Sequence, residues 1–371
     1  MKFTTCSHPP RPVRQVAVRF RRHQAGLTLI EFMVSITIGM LMIAALATLI
    51  ASQSSTRAEI DKSGKMIENG RYAAQTLAND VQMAGYWGEL PTQPTAPALL
   101  SDPCSLVTAD INAAMGLAVQ GYDALATLPT TPGGLGVCVK NQKPGTDVLV
   151  VRRADPDMST VQTALAIDLA KVVPGQVYLQ TGMDSTGSTL TDVVAVGSSS
   201  ASTNTTTFLL KKKDQVSVAN LRKMVVHIYY ISQCSVEVSG SCTNADGGTP
   251  IPTLKRVELG VAGGIPALTT ATVAEGIENL QIDYGIDSDG DGAPNGSDIA
   301  APTSAQWPDV VTLKVYLLAR STDLTAGFSD SKTYGMGVAG SVSPASTELA
   351  YKRHLFVQSV RLVNPSSRRA L

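Results

Sequence analysis

The chain has 371 residues and carries 30 basic and 30 acidic side chains. Residues 1–26 hold six of the basic residues and no acidic one, which leaves 24 basic against 30 acidic residues in the remainder. An acidic body argues against a nucleic-acid-binding protein, in which Lys and Arg concentrate on the folded part.

The first predicted element is an apolar helix over residues 27–51, in which Glu31 is the one charged residue. About 20 apolar residues suffice to cross a bilayer as a helix. The six basic residues before it predict a cytoplasmic N-terminus and an extracytoplasmic body. The run is longer than the 7–15-residue core of a secretory signal peptide. We therefore expect a single-pass membrane helix.

The junction before this helix reads Ala-Gly-Leu-Thr-Leu-Ile-Glu-Phe, with Gly26 after the basic leader and Glu31 five residues later. It resembles the class III leader of type IV pilins and type II secretion pseudopilins. The resemblance implies that prepilin peptidase removes the leader, residues 1–26, by cutting after Gly26. It also implies N-methylation of the new N-terminal residue, Leu27.

Glu31 is unusual, because an acidic side chain inside an apolar membrane span costs free energy and usually pairs with another group. In the resembled families the partner is the methylated N-terminus of a neighbouring subunit. The resemblance therefore implies that Glu31 acts in assembly, with other minor pilins and the major pilin as partners. The alternative is that the Glu31 carboxylate merely reaches the membrane interface.

Residues 52–88 continue as an amphipathic stalk, with apolar residues at helical spacing and Gly85 as a stop signal. We predict one helix from about residue 28 to about residue 84. Its last part contains ENGRY, with Asn69 and Gly70 as poor helix formers that allow a kink, and then AGYWG. These residues resemble the PilW family of minor pilins. Tyr86 and Trp87 are predicted to anchor the helix in the core.

Residues 89–371 are predicted to form the head, in which apolar runs alternate with residues typical of turns. A long helix followed by many strands without helical crossovers indicates an α+β fold with antiparallel sheets, in agreement with the pilin-like fold of the resembled family. Residues 181–207 are predicted to be a long loop or an exposed hairpin. The predicted strands are 147–152, 176–180, 206–210, 224–231, 254–259, 280–286, 309–320 and 355–363.

Four cysteines remain after the leader: Cys104, Cys138, Cys234 and Cys242. An even number of cysteines outside the cytoplasm predicts disulfides, and four cysteines allow three pairings. Pairing between neighbours along the chain is the preferred arrangement. A zinc site is disfavoured because the sequence has no C-x-x-C motif.

The segment 287–298 reads DSDGDGAPNGSD and resembles the oxygen cage of an EF-hand-type Ca²⁺ loop. The departures are an Asp at the last position, a proline at the eighth and no flanking helices. A polar turn without metal is the alternative. The candidate ligands are Asp287, Asp289, Asp291, Ala293, Asn295 and Asp298.

An enzyme is not expected. His227 and His354 are the histidines left after the leader, and each lies in a strand-like run, where a structural role is the expected one. The sequence contains no G-x-S-x-G, H-E-x-x-H or Walker A motif.

The resemblance implies a minor pilin that primes type IV pilus assembly, sits at or near the tip, often with a large adhesin, and serves cell adhesion and twitching motility. The protein would lie in the inner membrane before assembly and at the cell surface afterwards. Two alternatives stay open: a J-type minor pseudopilin of type II secretion, and a membrane-anchored periplasmic binding domain that never assembles.

Overall fold

The structure is a computed structural model that describes residue 26 and residues 28–129, 134–158, 162–163 and 166–370. These residues divide at Ala58 and Glu59 into two compact units. The first unit contains the part of helix α1 up to Ala58, and the second contains the rest of that helix and the head. Each unit is described by itself below.

Helix α1 spans Leu29–Met83, close to the predicted limits. It ends where Gly85 adopts a positive φ of 70°, a conformation that glycine takes at little cost. The other helices are short: α2 (Thr108–Ala113), α3 (Leu135–Cys138), α4 (Ala201–Thr207) and α5 (Val363–Arg369). Single 3₁₀ turns occupy Ala114–Gly116, Leu169–Lys171, Asp246–Gly248, Trp307–Asp309 and Gly337–Ala339.

Strands are the main regular secondary structure of the second unit, as the α+β prediction requires. They are β1 (Val119–Leu125), β2 (Thr146–Met158), β3 (Gln162–Thr163), β4 (Ala166–Ile167), β5 (Val177–Met183), β6 (Leu190–Val196), β7 (Leu221–Ser232), β8 (Thr253–Ala262), β9 (Ile265–Glu275), β10 (Ile277–Ile286), β11 (Val310–Arg320), β12 (Tyr334–Gly335), β13 (Ser341–Val342) and β14 (Arg353–Arg361).

Among the described residues, seven strands form the larger sheet: five follow the order β1-β2-β7-β5-β6, β8 pairs with β7, and β9 pairs with β8. One edge of β7 pairs with β2, while its other edge pairs first with β5 and then with β8. A smaller sheet has the order β10-β11-β14. Every pairing in both sheets is antiparallel, which confirms the predicted sheet type.

The main core lies where the lower part of α1 packs against one face of each sheet. Leu77 and Val81 of α1, Val151 of β2, Ile282 of β10 and Leu317 of β11 belong to this cluster, and all are almost fully buried. A second cluster covers the opposite face of the larger sheet and contains the fully buried Trp87. The prediction that Trp87 anchors the helix in the core is therefore confirmed.

The predicted strand over residues 206–210 is wrong. Helix α4 ends at Thr207, and the next residues are irregular except for a bridge at Lys211. The Asn204 side chain accounts for this, since it accepts a hydrogen bond from the Ser198 amide at 2.8 Å and donates one to the Ser198 carbonyl. Such local bonding favours a turn over a strand. Residues 181–207 form a hairpin of β5 and β6 followed by α4.

Candidate functional site

The start of α1 carries the residues of the predicted processing and assembly site. The hydroxyl of Thr28 accepts a hydrogen bond from the Glu31 amide at 3.4 Å, which caps the first turn. Glu31 itself lies in that first turn, where a negative charge complements the helix dipole. Gly26 is exposed, whereas Leu27 and residues 1–25 of the leader lie outside the described residues.

In the first unit, the Glu31 side chain is exposed among exposed apolar neighbours. Ile30, Phe32 and Met33 are each more than half exposed. A stretch of α1 is long and apolar enough to cross a membrane by length and composition. The Glu31 carboxylate accepts no hydrogen bond from any described residue, so it is available to a cation from outside this chain.

In the second unit, the end of α1 is fixed to the larger sheet through Asp80. One carboxylate oxygen accepts a hydrogen bond from Arg153 Nε at 2.8 Å. The other lies 2.6 Å from His227 Nδ1 and 2.9 Å from the Tyr229 hydroxyl. Arg153 is on β2, and His227 and Tyr229 are on β7. One buried carboxylate therefore links the helix to two strands.

Asp80 is buried, yet it is held in its charged form. Burial opposes ionisation, but the contacts with His227 and Arg153 outweigh it and lower the pKa of Asp80 from 3.8 to about 2. His227 was expected to be structural. No sequence pattern indicates its partner, because Asp80 and His227 are 147 positions apart.

The C-terminal helix α5 covers the carbonyl groups at the end of α1. Asn364 Nδ2 donates to the carbonyls of Met83 and Ala84 at 3.3 and 3.2 Å. Arg368 donates to the carbonyls of Gly85 at 2.6 Å and Leu90 at 3.3 Å. Helix ends leave carbonyls without intrahelical partners, and cations are favourable there. Residues at the end of the chain thus cap the stalk helix.

Gly70 and Asn69 of the ENGRY segment also contact the head. Asn69 Nδ2 donates to the Glu275 carbonyl at 3.1 Å. A Cβ atom at Gly70 would overlap the ring of Phe356 on β14. The helix is continuous through both residues. Gly70 is therefore explained by close packing against β14 of the smaller sheet, and Asn69 by its hydrogen bond to the end of β9 in the larger sheet.

We expect Gly70→Ala to destabilise the head by about 1–3 kcal/mol, because overpacking outweighs the gain of about 1 kcal/mol in helix propensity. Gly64→Ala is the matched control, since nothing lies within 4 Å of its added Cβ atom. The control should be neutral or stabilising. Chemical denaturation followed by the fluorescence of Trp87 and Trp307 measures both variants. Equal effects at the two positions would contradict the packing explanation.

The Asp-rich loop 287–298 brings together three of its predicted ligands. Carboxylate oxygens of Asp287, Asp289 and Asp291 all lie within 4.8 Å of one another. Asp287 is fully buried, and its oxygens accept hydrogen bonds from the amides of Gly290 at 2.7 Å and Gly292 at 2.9 Å. Three carboxylates at this separation can provide oxygen ligands to one cation.

The other predicted ligands have different neighbours. Asn295 Nδ2 donates to Asp289 at 3.1 Å, so it stays beside the cluster, and the Ala293 amide donates to Asp291 at 2.7 Å. Asp298 is absent from the group of three carboxylates within the described residues and lies beside Gly285. The structure therefore gathers positions 1, 3 and 5 of the loop and leaves position 12 apart.

Arg369 of α5 contacts the buried carboxylate of this loop. Its Nε donates to Asp287 Oδ2 at 2.7 Å, and its Nη1 donates to Asp309 at 2.6 Å. Burial alone would raise the pKa of Asp287, but Arg369 and the two glycine amides lower it to about 2. A cation in the loop would share Asp287 with this guanidinium group.

The cysteines pair as neighbours along the chain, Cys104 with Cys138 and Cys234 with Cys242. The first disulfide joins the segment after the stalk to α3. The second closes a loop directly after β7.

Comparison with protein families gives two matches. Residues 228–364 match the family of the type IV pilus-assembly protein W (PilW). Residues 21–47 match the prokaryotic N-terminal methylation motif. The ENGRY and AGYWG residues lie outside both matched ranges. No curated protein and no solved structure matches the chain with significance.

Proposed function

Because this chain is a PilW-like type IV pilin, we propose that it primes pilus assembly as a minor pilin and stays at or near the tip of the fibre. The size of the head supports this proposal. Glu59–Leu371 form one compact unit that contains both sheets. A head of this bulk would crowd a thin fibre if it were repeated at every position, whereas a tip offers room.

The exposed Glu31 supports the assembly step of the proposal. A carboxylate among apolar side chains is stabilised by a cation when the helix packs against other helices. The N-terminal amine of a neighbouring pilin is such a cation. We therefore propose Glu31 as the assembly residue, with other minor pilins and the major pilin as its partners. A large tip adhesin is a further proposed partner.

Processing and incorporation are tested by N-terminal mass spectrometry of membranes and sheared fibres. We expect a peptide that starts at N-methyl-Leu27 in both fractions. Glu31→Gln should be processed in the membrane but lost from the fibres, because a neutral amide cannot form an ion pair with the N-terminal ammonium group. Thr37→Ala on the same helix is the control and should reach the fibres. Intact leader in both fractions would contradict the proposal.

Priming and tip placement need separate measurements. Deletion of the gene should reduce the number of pili per cell, and immunogold labelling of the head should mark fibre ends. Labelling along the shaft would contradict tip placement. A J-type pseudopilin would instead show loss of type II secretion with normal pili.

Calcium binding by the Asp-rich loop stays a prediction, supported by the three clustered carboxylates. We expect Ca²⁺ to raise the thermal midpoint of the full chain relative to a chelator, with the weak affinity of extracellular sites, about 10⁻⁴–10⁻³ M. Asp289→Asn with Asp291→Asn should abolish this shift, whereas Asp184→Asn, in another exposed turn, should leave it. An equal shift in both variants would contradict a site in this loop.

A further inference from the structure

The second unit contains a cleft of about 730 Å³ that belongs to none of the sites above. Its walls come from residues 241–252, from the segment around Lys143, and from the residues after β11 and before β14. A cleft of this volume falls in the range of pockets that hold small organic ligands.

The Lys143 side chain lines this cleft, and its ammonium group donates no hydrogen bond to any described residue. Its nearest carboxylate oxygen, Glu278 Oε1, is 3.7 Å away, which is beyond hydrogen-bond distance. Glu278 is already bonded to Arg353, at 2.6 and 3.3 Å. Burial lowers the pKa of Lys143, against the effect of Glu278. Since no described residue accepts a hydrogen bond from this ammonium group, leaving it unpaired in a half-buried wall costs free energy unless a ligand or water accepts from it.

A carboxylate acceptor faces the same cleft. Glu348 receives one hydrogen bond from Arg320, at 2.9 Å, and keeps about a third of its side chain exposed. Arg320 is buried against the ring of Tyr351, 4.1 Å from its centroid, and its Nε has no partner within the described residues. The accessible charges of the cleft are thus one positive and one negative.

One accessible positive group and one accessible negative group together favour a ligand without net charge. Glu348 would repel an anion, and Lys143 would repel a cation. A hydroxyl group both donates and accepts hydrogen bonds, so neighbouring hydroxyls can satisfy the ammonium and the carboxylate together. The rest of the wall is rich in amide and hydroxyl side chains, including Asn141, Gln233 and Thr249.

We propose that this cleft binds a neutral, hydroxyl-rich ligand of the saccharide class, with Lys143 as donor and Glu348 as acceptor. The proposal does not depend on where the protein sits in a pilus. Ser241 and Cys242, at the end of the loop closed by the second disulfide, and Thr243 directly after it line one side of the cleft.

Saturation-transfer NMR on the full chain, in a detergent without a sugar headgroup, tests the proposal with glucose and N-acetylglucosamine as probes. We expect saturation transfer to at least one of them. Lys143→Met and Glu348→Gln should each weaken binding about tenfold or more, the usual effect of losing a hydrogen bond to a charged group. Lys140→Met is the control, because this exposed lysine lies outside the cleft.

Thr249→Trp is a second variant in case the charge variants do not fold. It adds bulk at an exposed residue of the cleft and leaves the ion pairs intact. It should abolish binding in a chain whose tryptophan fluorescence reports a folded head. Absence of transfer to both sugars would overturn the proposal, as would binding that none of the cleft variants changes. Binding of glucuronate or glycine in place of the neutral sugars would also overturn it.

Discussion

Replacement of Asp80 by Ala should destabilise the head by about 3–5 kcal/mol, the cost of removing one partner from a buried ion pair. The variant leaves the largely buried guanidinium of Arg153 without its carboxylate and removes the acceptor of the Tyr229 hydroxyl. Denaturation of the full chain, followed by tryptophan fluorescence, measures the effect. Asp61→Ala is the matched control, because Asp61 is exposed on the same helix and should change stability by less than about 0.5 kcal/mol.

The effect of Asp80 should also depend on pH in a defined direction. Its pKa is about 2 in the folded protein, against an ordinary value of 3.8. A lowered pKa gives stability that is fully present above the unfolded value and is lost as the pH falls through the folded value. The deficit of Asp80→Ala should therefore be largest above pH 4 and shrink toward pH 2. A deficit independent of pH would mean that Asp80 contributes by packing alone.

The sequence predicts the local features of this chain well. The limits of α1, the buried Trp87 and the strand β11 follow from helical spacing, stop signals and alternating side chains. These signals act between residues that are close in the sequence. The pairing of the cysteines also joins neighbours along the chain.

Contacts between residues far apart in the sequence cannot be predicted from these local signals. The partners of Asp80 lie 73 to 149 positions away, and those of Asn364 lie about 280 positions away. Nothing in the spacing of single residues indicates which strand passes beneath a helix. The strand predicted over 206–210 failed because the side chain of Asn204 binds locally. A glycine inside a helix is unusual in the sequence alone, but the ring of Phe356 on β14, which leaves no room for a Cβ atom at Gly70, is visible only in the structure.

The junction of stalk and head therefore depends on residues that lie far apart in the sequence. Asp80 joins the last turns of α1 to strands β2 and β7 of the larger sheet, and α5 donates hydrogen bonds to carbonyls at the end of α1. The PilW match ends at Asn364, the first of these capping residues. In the proposed assembly, neighbouring subunits pull on the stalk, and the stability of this junction decides whether it holds.

Loss of the C-terminal cap should have an effect as large as loss of Asp80. Asn364→Ala combined with Arg368→Ala removes the donors to the carbonyls of Met83, Ala84 and Gly85. Hydrogen bonds from charged groups contribute about 1.5–3 kcal/mol and neutral ones about 1 kcal/mol. We expect a combined loss of about 3–5 kcal/mol, measured by denaturation of the full chain.

The control for the cap is Ser367→Ala, because this serine is exposed on the same helix and alanine is the better helix former. It should leave the stability unchanged or slightly raised. Amide hydrogen exchange adds a local readout: in the double variant, exchange should accelerate in the last turn of α1 more than at residue 70 and its neighbours. Uniform acceleration along the helix would mean that α5 supports the head as a whole and does not cap the stalk.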